Sequence, residues 1–191
     1  MSLFAALQER PARVLFVCLA NSCRSQMAET FARHFGSDVI EPYSAGVVPA
    51  GRISNRTRSM MAECGVPLSP EQAPKAIRGM DLSQFDLIVN LSEYGIPQAT
   101  TPVIRRTLAD PIAVSDESFR EVRAEVEKIV GYLVDHFRRA RAWHAQLERA
   151  AVPKPATTRL EMANPEISKW WATRPQQAPS KYPVTVLPKA A

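Results

Sequence analysis

Residues 14–29 read VLFVCLANSCRSQMAE, and within this stretch the pattern changes twice. Val14, Leu15, Phe16 and Val17 are consecutive apolar residues, the pattern of a strand buried on both faces of a parallel sheet. The run ends at Cys18 and a short polar loop follows. The spacing then becomes helical over 25–35. Met27, Ala28, Phe31, Ala32 and Phe35 fall on one side, and Gly36 stops the segment. A buried strand that feeds a helix through so tight a loop commits the chain to an α/β fold.

The remaining segments extend that alternation. Residues 13–18 are the first strand and 39–44 suit a second, followed by the turn-rich SAGVVPAG at 44–51. Residues 54–64 form a helix, with Ser54 or Asn55 as N-cap and Gly65 just past its end. Residues 66–80 hold three prolines and read as loop, FDLIVNL at 85–91 is a third strand, and TPVIRRTL at 101–108 a shorter fourth. Pro102 confines that last strand to an edge or to a strand start. After the loop 109–116 a long amphipathic helix begins near Glu117, capped by Ser115 or Asp116. Its buried face is Val122, Val126, Ile129, Val130, Leu133, Val134 and Phe137, and it can run to about Ala150. The expectation is a three-layer α/β/α domain around a four-stranded parallel sheet, with a long C-terminal helix and an extended tail.

Composition divides the chain into a leading segment 1–12, a domain 13–150 and a tail 151–191. The net charge is +5, but residues 1–150 hold 18 Lys+Arg against 17 Asp+Glu. The basic excess sits in the tail, so the domain carries no broad cationic face and no nucleic acid is expected as a partner. The tail has 7 of the 16 prolines and no glycine, which predicts disorder, with Trp170 and Trp171 as candidate docking residues. Its charge suits contact with an acidic surface. No segment is long and apolar enough to span a bilayer, and the start has no secretory pattern. Three cysteines do not make a disulfide scaffold, so a reducing cytoplasm is the expected setting. His34, His136 and His144 lack ligand spacing, and neither a metal nor another cofactor is expected.

The loop between Cys18 and Arg24 carries the chemistry. A strand-to-helix loop turns several backbone N–H groups into one concavity, and the helix dipole adds positive potential. Arg24 adds a planar fork that holds two oxygens of a tetrahedral anion. The same field favours a thiolate at Cys18, to which the Ser25 hydroxyl can donate. Read singly, Cys18 could end a strand as a core cysteine and Arg24 could lie on a surface. The strand, the C-x5-R-S spacing and the helix signal together favour a nucleophile aimed at a bound oxyanion.

VCLANSCRSQMAE resembles the signature C-x-G-N-x-C-R-S-x-x-A-E of the low-molecular-weight protein tyrosine phosphatases and of the arsenate reductases that share their fold. SAG at 44–46, FDLIV at 85–89 and Asp110-Pro111 follow in the family's order, and the resemblance covers about residues 12–138. It implies that Cys18 is the nucleophile and that Arg24 and the backbone of Leu19, Ala20, Asn21, Ser22, Cys23 and Arg24 bind phosphate. It also implies that Ser25 supports the thiolate, that Asn21 holds the loop with Ser44, and that Asp110 is the general acid. A phosphatase of phosphomonoesters, on a small molecule or a phosphoprotein, is the first expectation, with phosphotyrosine as one candidate. The alternative is an arsenate reductase, toward which Ser-Gln after Arg24 points; a non-catalytic phosphate-binding module is a third reading, which Cys18, Arg24 and Asp110 together disfavour. A thioredoxin-coupled reductase needs two resolving cysteines after the 85–91 strand, where this chain has Ser92 and no cysteine. A reductase here must use Cys23, Cys64 or an external thiol, and Cys23 is the candidate redox partner of Cys18. Ala20, in place of the signature glycine, is expected to strain the loop if that position needs positive φ.

Overall fold

The computed structural model describes residues 10–97 and 99–150. The tail 151–191, with Trp170 and Trp171, lies outside the described residues, as do residues 1–9. In chain order the elements are β1 (Ala12–Cys18), α1 (Arg24–Gly36), β2 (Ile40–Gly46), α2 (Asn55–Glu63), a 3-10 turn (Leu82–Gln84), β3 (Leu87–Asn90), β4 (Val103–Arg105) and α3 (Asp116–Ala150). The strands form one parallel sheet in the order β2-β1-β3-β4. From β1 the chain first crosses to one side and then returns to the other. The carboxyl end of β1 is therefore the switch point, where folds of this kind bind ligands. Cys18 is the last residue of β1.

Alternation along β1 builds two cores. Val14, Phe16 and Cys18 face a core shared with Met27, Ala28 and Phe31 of α1, Met60 and Met61 of α2, and Phe119, Val126, Val130 and Val134 of α3. Leu15 and Val17 face the opposite layer, where Ile77, Leu82 and Phe85 cover the sheet. The two covering layers are thus uneven. The α-helices share one face, and the other is closed by the segment that carries the 3-10 turn.

Several local expectations shift. Phe35 is 37% exposed at the end of α1, where it stacks on Phe31 instead of entering the core. Gly36 is the last residue of α1 and has no positive φ. Its constraint is packing: a Cβ there would collide with Val134 Cγ2 of α3. Gly65 does take a left-handed φ of +75° past α2. Ser54 occupies the N-cap of α2 without a side-chain cap. Ser115 caps α3, its Oγ accepting from the Ser118 N–H at 3.2 Å. β4 is reduced to three exposed residues at the sheet edge, in keeping with Pro102 just before it. Among the described residues, no helix is long and apolar enough to cross a membrane.

Candidate active site

The loop after Cys18 is shaped by donors that pull its carbonyls outward. The carbonyls of Cys18, Leu19 and Ala20 accept from the N–H groups of Val47, Val48 and Ala50. The Asn21 carbonyl accepts from Gln26 Nε2 at 3.2 Å. The Ser22 carbonyl accepts from the Ser54 N–H and from Thr57 Oγ1, and that of Cys23 from the Met27 N–H. All peptide bonds here are trans, so each N–H points opposite to the carbonyl before it. Six anchored carbonyls therefore turn the N–H groups of residues 19–24 toward the inside of the ring. That is the nest an oxyanion needs.

Close approach makes the ring possible. Gly46 ends β2 beside it, and a Cβ there would lie 2.8 Å from both Asn21 N and Leu19 O. Asn21 holds φ +47°, the one positive-φ non-glycine position among the described residues. The expectation that Ala20 takes the unusual φ is thereby corrected. The strain falls on its neighbour, whose residue type visits that region more readily. Asn21 is fixed on every side. Its Nδ2 donates to Ser25 Oγ at 2.8 Å and to Ser44 Oγ at 2.9 Å, and its Oδ1 accepts from the Lys75 N–H at 2.7 Å. Cys18 Sγ lies 3.0 Å from Ser25 Oγ. The structure thus brings Cys18, Asn21, Ser25 and Ser44 into one network.

Two members of that network escaped sequence reasoning. Glu29 is buried in α1 and accepts from Ser44 Oγ at 2.5 Å and from Arg33 at 2.8 Å. Gln26 is fully buried and links Asn21 to the Ala73 carbonyl. The available signal was a carboxylate and an amide set among the apolar positions Met27, Ala28, Phe31 and Ala32.

Arg24 enters the ring from the first residue of α1, with its side chain only 4% exposed. Nη1 donates to the Leu108 carbonyl at 2.7 Å, and Nη2 lies 3.2 Å from Asp110 Oδ2. Nε is buried with no hydrogen-bond partner among the described residues. Leaving such a donor unpaired costs about 1–3 kcal/mol. Nε and Nη2 form the side-on fork of the guanidinium, the edge that grips two oxygens. Asp110 is 53% exposed, at the rim.

Cys23 and Cys64 differ from Cys18. Burial pushes the Cys23 thiol up to about 12. A hydrogen bond with Thr57 opposes the shift, while the proximity of Cys18 and Asp110 adds to it. Cys64 follows α2 and donates to the Met61 carbonyl at 3.2 Å. Seven residues separate it from Thr57, a rise of about 10 Å along a helix axis. Among the described residues, no group of three or more His, Cys, Asp or Glu side chains is placed to hold a metal.

Comparison with known proteins gives the same outline. The family model of the low molecular weight phosphotyrosine protein phosphatases matches residues 13–143. A glutaredoxin arsenate reductase of Synechocystis is 35% identical over 127 residues, covering 64% of this chain and 95% of that protein. The solved arsenate reductase of Archaeoglobus fulgidus superposes with a TM-score of 0.58 at 32% identity, over 64% of this chain and 98% of that one. An arginine phosphatase of Geobacillus stearothermophilus shares the fold, with a TM-score of 0.61 at 21% identity over 70% and 97% of the two chains.

Proposed function

Because the chain belongs to the low molecular weight phosphotyrosine protein phosphatase family, we propose that it is a cysteine-dependent oxyanion enzyme whose substrate is arsenate. The observation that carries the site is the unpaired buried Nε of Arg24, at the end of the loop of inward N–H groups that begins at Cys18. The names of the similar proteins, arsenate reductases at 32–35% identity, favour arsenate over a phosphate ester.

The chemistry follows from the positions. The ring N–H groups and the Arg24 fork hold the oxygens of the anion. The Cys18 thiolate, with Ser25 Oγ donating to it, attacks the central arsenic. Asp110 protonates the departing oxygen, which leaves as water, and As(V) remains bonded to Cys18 Sγ. A second thiolate then attacks that sulfur. The S–As electron pair moves to arsenic, which departs as arsenite, and Cys18 is left in a disulfide. One more thiol releases Cys18. Two electrons reach arsenic, and two thiols become one disulfide.

The second thiol comes from outside the chain. Burial pushes the Cys23 thiol up to about 12, which disfavours its thiolate, Cys64 follows the end of α2, and Ser92 stands where the loop after β3 begins. Ser92 is buried, its N–H and Oγ both donating to Asn90 Oδ1. A small-molecule thiol or a glutaredoxin, in a reducing compartment, completes the cycle. The same loop could hydrolyse a phosphomonoester, with water attacking phosphorus in the second step. Asp110 beside Arg24 supports that second reading. The large exposed hydrophobic side chains on the flanking loops, Val48, Ile112 and Val114, are aliphatic, and nothing aromatic in 47–52 or 111–114 selects a phosphotyrosine ring.

The test is arsenate-dependent NADPH consumption with glutathione, glutaredoxin and glutathione reductase, beside aryl phosphate hydrolysis. Turnover with arsenate that disappears in Cys18→Ser supports the reading. Hydrolysis without any arsenate-dependent thiol oxidation overturns it in favour of the phosphatase.

A further inference from the structure

Asp110 faces a difficulty that its loop must solve. In this structure it is held by Arg24 Nη2 at 3.2 Å, yet Nη2 belongs to the edge that a bound oxyanion claims. When the anion arrives, Asp110 loses that partner at the moment its position matters most. Upstream the loop is held at Leu108, whose carbonyl accepts from Arg24 Nη1 at 2.7 Å and whose N–H donates to the Leu91 carbonyl at 3.2 Å. Downstream, Asp110 Oδ1 accepts from the Ile112 N–H at 3.3 Å, and among the described residues the side-chain bonds that tie residues 111 and 112 to another element come from one side chain.

That side chain is Arg56, in the first turn of α2. Nη1 donates to the Ile112 carbonyl at 3.0 Å and to the Pro111 carbonyl at 3.3 Å. Nε and Nη2 donate to Asp116 Oδ1 at 3.1 and 2.7 Å. The guanidinium lies over the Phe119 ring, 5.1 Å from its centroid, and Phe119 is fully buried. One planar group therefore bridges the two residues after Asp110 to the start of α3. The same turn of α2 also grips the oxyanion ring, through the Ser54 N–H and Thr57 Oγ1 on the Ser22 carbonyl. Nucleophile loop and acid loop thus share one anchor.

We propose that Arg56 is a positioning residue that keeps Asp110 over the oxyanion ring once the anion has displaced it from Arg24. This rests on the reading that Cys18 attacks and Asp110 protonates. The hydrogen bonds of Arg56 go to Pro111, Ile112 and Asp116 and not to the ring residues 18–24, so its removal acts on the proton transfer and spares anion binding. Proton transfer by a placed acid is worth roughly 10²–10⁴-fold in rate, and partial misplacement forfeits part of it.

The experiment compares wild type, Arg56→Ala, Asp110→Asn and the double variant. Turnover is measured with arsenate plus glutathione and glutaredoxin, and with an aryl phosphate. Affinity for inorganic phosphate is read by protection of Cys18 from alkylation. The expected result is a 10- to 100-fold fall in kcat for Arg56→Ala with phosphate affinity within about threefold of wild type, and a double variant no slower than Asp110→Asn alone. If Arg56→Ala does not fold, Arg56→Lys carries the same comparison, since one ammonium cannot span two carbonyls and a carboxylate. Wild-type rates in Arg56→Ala alongside an impaired Asp110→Asn overturn the inference and leave the reading of the acid intact. So does a double variant slower than Asp110→Asn by the full Arg56→Ala factor. Wild-type rates in Asp110→Asn remove the acid role itself, and this inference with it.

Discussion

Removing the Cys23 thiol should leave arsenate chemistry running, although Cys23 lies in the same loop as the nucleophile. Burial holds this thiol at about 12, against 9.0 for an unperturbed cysteine. At pH 8 the difference lowers its thiolate fraction about 10³-fold. A more basic thiolate is also more nucleophilic, with a Brønsted slope of about 0.4–0.5, which returns about 20-fold. The net handicap is about 50-fold before any steric barrier. Timed iodoacetamide labelling at pH 8, read by peptide mass spectrometry, should show Cys23 reacting at least about 50-fold more slowly in the native protein than after unfolding. Cys23→Ala should keep arsenate-dependent thiol oxidation within about threefold of wild type, since this thiol takes no part in either disulfide step. The same shift has a signature in stability. The native state keeps this proton at pH values where the unfolded chain has lost it. Stability is therefore full below the ordinary value of 9.0 and falls as pH rises toward about 12. Cys23→Ala should flatten that alkaline limb. Native labelling within fivefold of the unfolded rate, or a folded Cys23→Ala without turnover, would refute the reasoning.

Gly46→Ala should damage the oxyanion ring while leaving the helical core whole. Its Cβ would press on Asn21 N and Leu19 O at 2.8 Å, backbone atoms that cannot rotate away. A cost of about 1–3 kcal/mol is expected, read as a lower Tm together with weaker protection of Cys18 by phosphate. Asp86 should shape the acid limb. Burial alone would raise its pKa, but the Arg10 guanidinium and the Arg13 N–H outweigh it and hold the carboxylate below its ordinary range. Its contribution is present above the ordinary aspartate value and lost as pH falls through the depressed one, so Asp86→Asn should flatten acid denaturation below about pH 4. A wild-type acid limb in that variant would count against the pairing.

How much of this was legible in the sequence depends on where the information lay. β1, α1 and the ring between them follow from a local change of period, so Cys18, Arg24 and Ser25 could be named from the local pattern, while the role of Asn21 came with the family resemblance. Ser44 and Asp110 needed the family resemblance, because the sheet order brings them in from distant segments. Phe35 was misplaced because helical periodicity does not say where a helix outruns its neighbours. Phe119 was missed because a single aromatic at the start of α3 breaks no pattern, although it is fully buried. Glu29 and Gln26 read as ordinary helix residues until β2 and residues 72–75 are packed against them. Arg56 carries no signal of its own. Its role depends on three oxygens contributed more than fifty residues later. Ala20 shows the opposite failure: the departure from the signature was visible, but the strained φ belongs to Asn21.

The central claim is that Cys18 takes up the oxyanion and that an external thiol completes the reduction. It is tested most directly by quenching the enzyme with arsenate and limiting glutathione, then mapping its cysteines by mass spectrometry. The account predicts an arsenate-dependent glutathione disulfide on Cys18, with Cys23 and Cys64 still free. A disulfide joining Cys18 to Cys23 or Cys64, or a Cys18 unmodified while arsenite accumulates, would contradict it.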